Sequence, residues 1–181
     1  VATMRRPDAS LFPASSRLRL LTLDVTDAAS IQAAVEAAGP IDALVNNAGI
    51  GMMNPLEAVP MATARTLFET NTLGTIAMTQ AVLPGFRARG AGVIVNVTSA
   101  VTLASLPLLS VYTASKAAAN AFTESLALEL APLGIRARLV LPGRSPETRF
   151  GANARSLTQS DAPAEYQPLL NAVFARAGNA G

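Results

Sequence analysis

The chain has 181 residues, half of them hydrophobic and 14% charged, with a mean hydropathy of +0.35. That composition suits one core-forming domain and is not that of a disordered chain. There is no His, no Cys and no Trp, and Lys116 is the single lysine. Zinc sites of the usual kind, disulfides and Ser-His-Asp or Cys-His catalysis are therefore excluded, and any general acid or base is Asp, Glu, Tyr or that lysine. The net charge of +2 comes from arginines scattered between Arg5 and Arg176, which form no basic patch to suit a nucleic acid.

Val1 to Met4 reads as the tail of a strand, followed by Arg5-Arg6. Pro7 and Asp8 come next, so no signal peptide is expected, and with no cysteine a reducing, cytoplasmic setting fits. Arg17 to Val25 reads as a strand. Ala28 to Ala38 is an Ala-rich helix, with Thr26 or Asp27 as its N-cap and Gly39 beyond its end. Ile41 to Val45 is a buried strand running into Asn46-Asn47. Helical patterns cover Ala62 to Arg89, with Gly74 and Pro84 as candidate interruptions. Val93 to Val97 is a β-branched strand. Residues 90 to 115 carry no charge, but Asn96, Pro107 and several Ser and Thr make this a strand and loop and not a membrane span. Val111 to Leu130 is the longest helix, apolar nearly all round (Ala114, Ala118, Ala121, Phe122, Leu126, Leu130). One side is expected on the sheet and the other against a partner subunit. Arg136 to Leu141 is a strand before Pro142-Gly143, and Glu165 to Arg176 is a last helix.

Strands alternating with helices predict βαβ units and a parallel sheet, with the ligand beyond the carboxyl ends of the strands. Small and polar residues gather at those ends: Asp24-Val25, Asn46-Asn47-Ala48-Gly49, Thr98-Ser99 and Pro142-Gly143. Lys116 follows Tyr112 by four residues, which puts both on one helix face. A free phenol titrates near ~10, and a nearby ammonium lowers that value, so such a tyrosine passes a proton to or from an oxygen. The pair alone reads more readily as a surface contact. Ser99, thirteen residues before Tyr112 at a strand end, offers a hydroxyl to the same oxygen.

Taken together, LDV at 23–25, NNAG at 46–49, NTLG at 71–74, Ser99, YTASK at 112–116 and PG at 142–143 resemble the short-chain dehydrogenase/reductase family. The resemblance covers Val1 to about Phe150. It implies a Rossmann-like, doubly wound α/β/α sheet and hydride transfer between a nicotinamide cofactor and a carbonyl or alcohol. Tyr112 is then the proton donor or acceptor. Lys116 lowers its pKa and binds the nicotinamide ribose, Ser99 polarises the substrate oxygen, and Asn71 holds a relay water. Asp24 and Val25 border the adenine, while Asn47, Ala48, Gly49, Pro142 and Gly143 line the cofactor. Thr148 stands further past Gly143 than the family's cofactor-binding Thr. The resemblance also implies a homodimer or homotetramer. Arg5 and Arg6 stand where an Arg accommodates a 2′-phosphate, and no acid precedes Asp8, so NADP(H) is favoured over NAD(H).

The pattern departs from the family at its start. No Gly-rich turn precedes Asn46, and the family's central first strand has no counterpart, which would leave two sheet edges unpaired. The stretch after Gly143 is also short. The chain is therefore expected to be most of a single dinucleotide-binding domain spanning 1–181, with 144–181 as its substrate loop and C-terminal helix. A non-catalytic dinucleotide-binding relative is the alternative, and a nucleotide-sugar epimerase or dehydratase shares the Tyr–Lys pair.

Overall fold

A computed structural model describes residues 1–145, 148–158 and 162–178; the remaining parts of the 144–181 segment lie outside the described residues. The strands are β1 (Ala2–Met4), β2 (Leu20–Thr22), β3 (Ala43–Asn46), β4 (Gly92–Val97) and β5 (Ile135–Val140). The helices are α1 (Ala28–Ala38), α2 (Met61–Phe68), α3 (Gly74–Arg89), α4 (Ser110–Leu130), α5 (Phe150–Leu157) and α6 (Gln167–Gly178). All the pairings are parallel, as the βαβ pattern requires.

Among the described residues the strands form two sheets, β1-β2 and β3-β4-β5. The strand expected over Arg17 to Val25 shrinks to three residues because its partner β1 offers only three. Asp27 caps α1 by accepting from the Ala29 and Ser30 N–H groups, and Gly39 ends it at φ 76°. The interruption expected within 62–89 lies at neither Gly74 nor Pro84. Pro84 sits inside α3, and the break is a π-helical turn over Glu69–Leu73.

The main core joins α1, α3 and α4 to one sheet face. Ile31, Val82, Phe86, Ile94, Leu126 and Ile135 meet there, with Phe86 and Ile94 fully buried. On the other sheet face Val45 is 58% exposed and Val140 46%. Along α4, Ala114, Ala117, Ala121 and Leu128 are exposed in the single chain. No helix of the described residues is long and apolar enough to cross a membrane.

Candidate active site

The site forms where β3, β4 and β5 end. The π-turn places Asn71 between the Ile50 loop and α4. Its Oδ1 accepts from the Ile50 N–H at 2.9 Å, and its Nδ2 donates to the Ile50 carbonyl at 2.9 Å and to Ser115 Oγ at 3.0 Å. Ser115 Oγ donates in turn to the Tyr112 carbonyl at 2.7 Å, and Thr72 Oγ1 donates to the Ser115 carbonyl at 2.8 Å. Asn71 thus fastens the strand-end loop to the helix that carries Tyr112 and Lys116.

Ser99 caps the turn after β4, accepting the Val101 N–H, and its carbonyl accepts from Thr102 Oγ1. Asn120, two turns beyond Tyr112 on α4, donates to Thr102 Oγ1 at 2.9 Å. The Pro142 carbonyl accepts the Ala100 N–H at 2.9 Å and ties the β5 end to the same turn. Asn71, Ser99, Tyr112 and Lys116 are all buried. Lys116 Nζ donates to the Val97 carbonyl at 3.0 Å.

One electrostatic expectation is corrected. Tyr112 is pushed up and not down, because burial of the phenol outweighs the opposing hydrogen bond with Ser99. Burial acts on Lys116 in the opposite sense and brings it from 10.5 to about 8. Both shifts disfavour the charged form.

The other sequence candidates are spread more widely. Gly49 lies against the cluster: a Cβ there would stand 3.1 Å from Lys116 Nζ and 3.3 Å from Asn71 Oδ1. Asn47, Ala48 and Gly143 are exposed along the strand ends. Arg5 and Arg6 follow β1, exposed, and Asp24 follows β2. Thr26 donates to the Asp24 carboxylate from its N–H and its hydroxyl, which with the charge of Arg5 holds Asp24 below its ordinary value. These three belong to the other sheet. Val25 touches the cluster's scaffold, since a Cβ on Gly74 would fall 2.7 Å from Val25 Cγ2. Thr148 Oγ1 donates to the Ser145 carbonyl at 2.8 Å.

Two arrangements escaped the sequence reading. Asn46 and Asn96 stand opposite each other in register. Asn46 Nδ2 donates to Asn96 Oδ1 at 2.9 Å, and Asn96 Nδ2 donates to Thr123 Oγ1 at 2.8 Å, a buried polar bridge from β3 to α4. An Asn inside the apolar run VIVNV was the available signal. In the second, Phe150 at the start of α5 sits with its ring centroid 5.9 Å from that of Tyr112, tilted by 54°. Nothing local in the sequence signals that contact.

A nicotinamide cofactor can be tested against these residues. The Gly49 backbone is bare beside Lys116 Nζ, and the buried Thr98 Oγ1, next to Ser99, has no partner among the described residues. An ammonium, a hydroxyl and an uncovered backbone suit a ribose and an amide, so the cluster fits the nicotinamide end.

The parallel sheet, its helices and the polar residues at its strand ends place the chain among Rossmann-like α/β proteins. The pattern of the short chain dehydrogenase family matches residues 6–157, and the chain belongs to that family. It is 43% identical over 154 residues to the uncharacterized oxidoreductase YusZ of Bacillus subtilis, covering 79% of this chain and 55% of that protein. It is 41% identical over 125 residues to 17-beta-hydroxysteroid dehydrogenase type 1 of Homo sapiens, covering 68% and 38%. The chain thus spans about half or less of these relatives. A short-chain dehydrogenase structure from Streptomyces avermitilis matches with TM-score 0.80 at 33% identity, over 95% of this chain and 68% of that one. An NAD+-bound xylitol dehydrogenase (TM-score 0.66, 32% identity, 69% and 50% covered) and a gluconate 5-dehydrogenase from Burkholderia cenocepacia with NADP and tartrate (0.68, 32%, 73% and 54%) also match, so the related structures include both cofactors.

Proposed function

We propose that the chain is part of an NADP(H)-dependent oxidoreductase acting on a small carbonyl or alcohol substrate, with Tyr112 as general acid and base. The observation that carries this reading is the joint burial of Tyr112, Ser99 and Lys116 at the ends of β4 and β5, held by Asn71. Bound nicotinamide supplies or accepts the hydride. Gly49 and Lys116 would hold its ribose end, and Arg5 and Arg6 the 2′-phosphate of NADP(H). Burial keeps the Tyr112 proton in place at neutral pH, which suits a donor to a carbonyl oxygen. Ser99 orients that oxygen and stabilises the phenolate left behind, and the Lys116 ammonium lies on the same helix face, four residues on. In the direction of alcohol oxidation the same tyrosine accepts the proton.

The setting is taken to be cytoplasmic, and the exposed Ala114–Leu128 face of α4 to meet a second copy of the chain. The alternative is a dinucleotide-binding relative without catalysis. Tyr112→Phe decides between them. Turnover of an aliphatic ketone should fall about 1000-fold while NADPH binding, followed by its fluorescence, stays within twofold. Full activity in the variant refutes the role of Tyr112. A parent that binds NADPH and turns over no carbonyl compound supports the second reading.

A further inference from the structure

We propose that Phe150 sets the substrate selectivity of this site, favouring carbonyl compounds whose reacting carbon bears a flat or extended apolar group. The proposal rests on Tyr112 being the group that meets the substrate oxygen. Phe150 is the first residue of α5, and its ring faces Tyr112 at 5.9 Å and 54°, within the attractive range for tilted aromatic pairs.

The ring is seated and not merely nearby. A Cβ on Gly51 would lie 2.8 Å from Phe150 Cζ and 2.9 Å from Cε1, closer than real side chains approach. The same Cβ would be 3.4 Å from Ala154, one turn along α5. The bare backbone of Gly51, just past the β3 end, is therefore the notch that receives α5. Behind Tyr112 the wall is apolar: Met52 and Leu67 are buried, with Ile50, Val101 and Leu109 packed on them. Phe150 itself remains 39% exposed, so its ring covers the tyrosine on one side and meets solvent on the other.

A substrate oxygen that reaches Ser99 and Tyr112 brings its flanking group against this ring. A phenyl or long alkyl group replaces the Tyr112 contact with one of its own. A small aliphatic ketone does not, and gains nothing from the ring.

The test compares acetophenone and butanone as ketones with NADPH, using the full-length protein and its Phe150→Ala, Phe150→Leu, Gly51→Ala and Gly51→Ala/Phe150→Ala variants. Phe150→Ala should raise KM for acetophenone about tenfold and for butanone less than about twofold. Phe150→Leu should restore part of the difference. Gly51→Ala should displace the ring and mimic Phe150→Ala, and should add nothing in the Phe150→Ala background. A second readout needs no turnover. The difference in ultraviolet titration between each protein and its Tyr112→Phe counterpart isolates Tyr112, and its midpoint should fall when Phe150→Ala opens the ring to water. Equal KM changes for the two ketones, an unmoved midpoint, or additive Gly51 and Phe150 effects overturn the role of Phe150 and leave the reading of Tyr112 standing. Unchanged turnover in Tyr112→Phe overturns that reading, and the proposal with it.

Discussion

Replacing Lys116 with Met isolates what its buried charge does to stability. The side chain is 4% exposed, and burial lowers its pKa from 10.5 to about 8. In the unfolded chain the group keeps its ordinary value. Between those values the unfolded state binds more protons than the folded one, so stability rises with pH across that window. Below about pH 8 both states are charged, and the folded state bears the whole penalty, about 3 kcal/mol at ~1.4 kcal/mol per pH unit. By about pH 9.5 some 2 kcal/mol of it is relieved. Tyr112, whose pKa is raised, holds its proton in the fold and counts against stability only above the ordinary phenol value, so a series ending near pH 9.5 is free of it. Methionine keeps most of the volume and removes the charge, but forfeits the bond to the Val97 carbonyl, about 1 kcal/mol. The variant should therefore be about 2 kcal/mol more stable than the parent at neutral pH and about equal to it near pH 9.5. Urea unfolding of the cofactor-free proteins across that range measures the difference. An advantage that is the same at both ends, or a parent whose stability does not rise, refutes the assignment of the penalty to the Lys116 ammonium.

Asn96→Ala should cost about 2–3 kcal/mol in thermal unfolding, because it removes two buried hydrogen bonds at about 1 kcal/mol each and leaves a void, while Asn46 keeps its bond to Thr79 and Thr123 its bond to the Ala119 carbonyl; a loss below about 0.5 kcal/mol would show that the bridge is dispensable. Exchanging both Arg5 and Arg6 for Glu should weaken NADPH binding at least about tenfold and leave NADH within about twofold, by fluorescence titration. Equal effects on the two cofactors would remove the 2′-phosphate from the reading. Leu128→Glu on the exposed face of α4 should dissociate the parent oligomer in light scattering, and a parent already monomeric at micromolar concentration refutes the pairing of that face.

The strands expected over 93–97 and 136–141 and the helix expected from Val111 fall within a residue of β4, β5 and α4, because their periodicity is local. Tyr112 and Lys116 were legible because one helical turn and a single lysine fix their relation. The direction of the Tyr112 shift was not, since spacing reports which groups are neighbours and burial decides which charge form survives. The Asn46–Asn96 bridge depends on cross-strand register, and the seat of Phe150 on Gly51 on a contact between segments far apart in the chain; neither leaves a periodic trace. The break at Glu69–Leu73 was misplaced for a related reason. Gly and Pro advertise themselves in a sequence, and a π-turn does not.

That turn makes one helical rod serve two interiors. A helix advances about 100° per residue, so a single extra residue in the winding rotates everything beyond it by that angle. Before the slip, Leu67 points into the small core that backs Tyr112; after it, Met78, Val82 and Phe86 point into the large core under the sheet. Asn71 lies at the slip itself, where neither phase applies and its amide is free to reach sideways to Ile50 and Ser115. A deletion of one residue within 69–73 would give a better-bonded helix and the wrong phase, turning one of the two cores away from its partner.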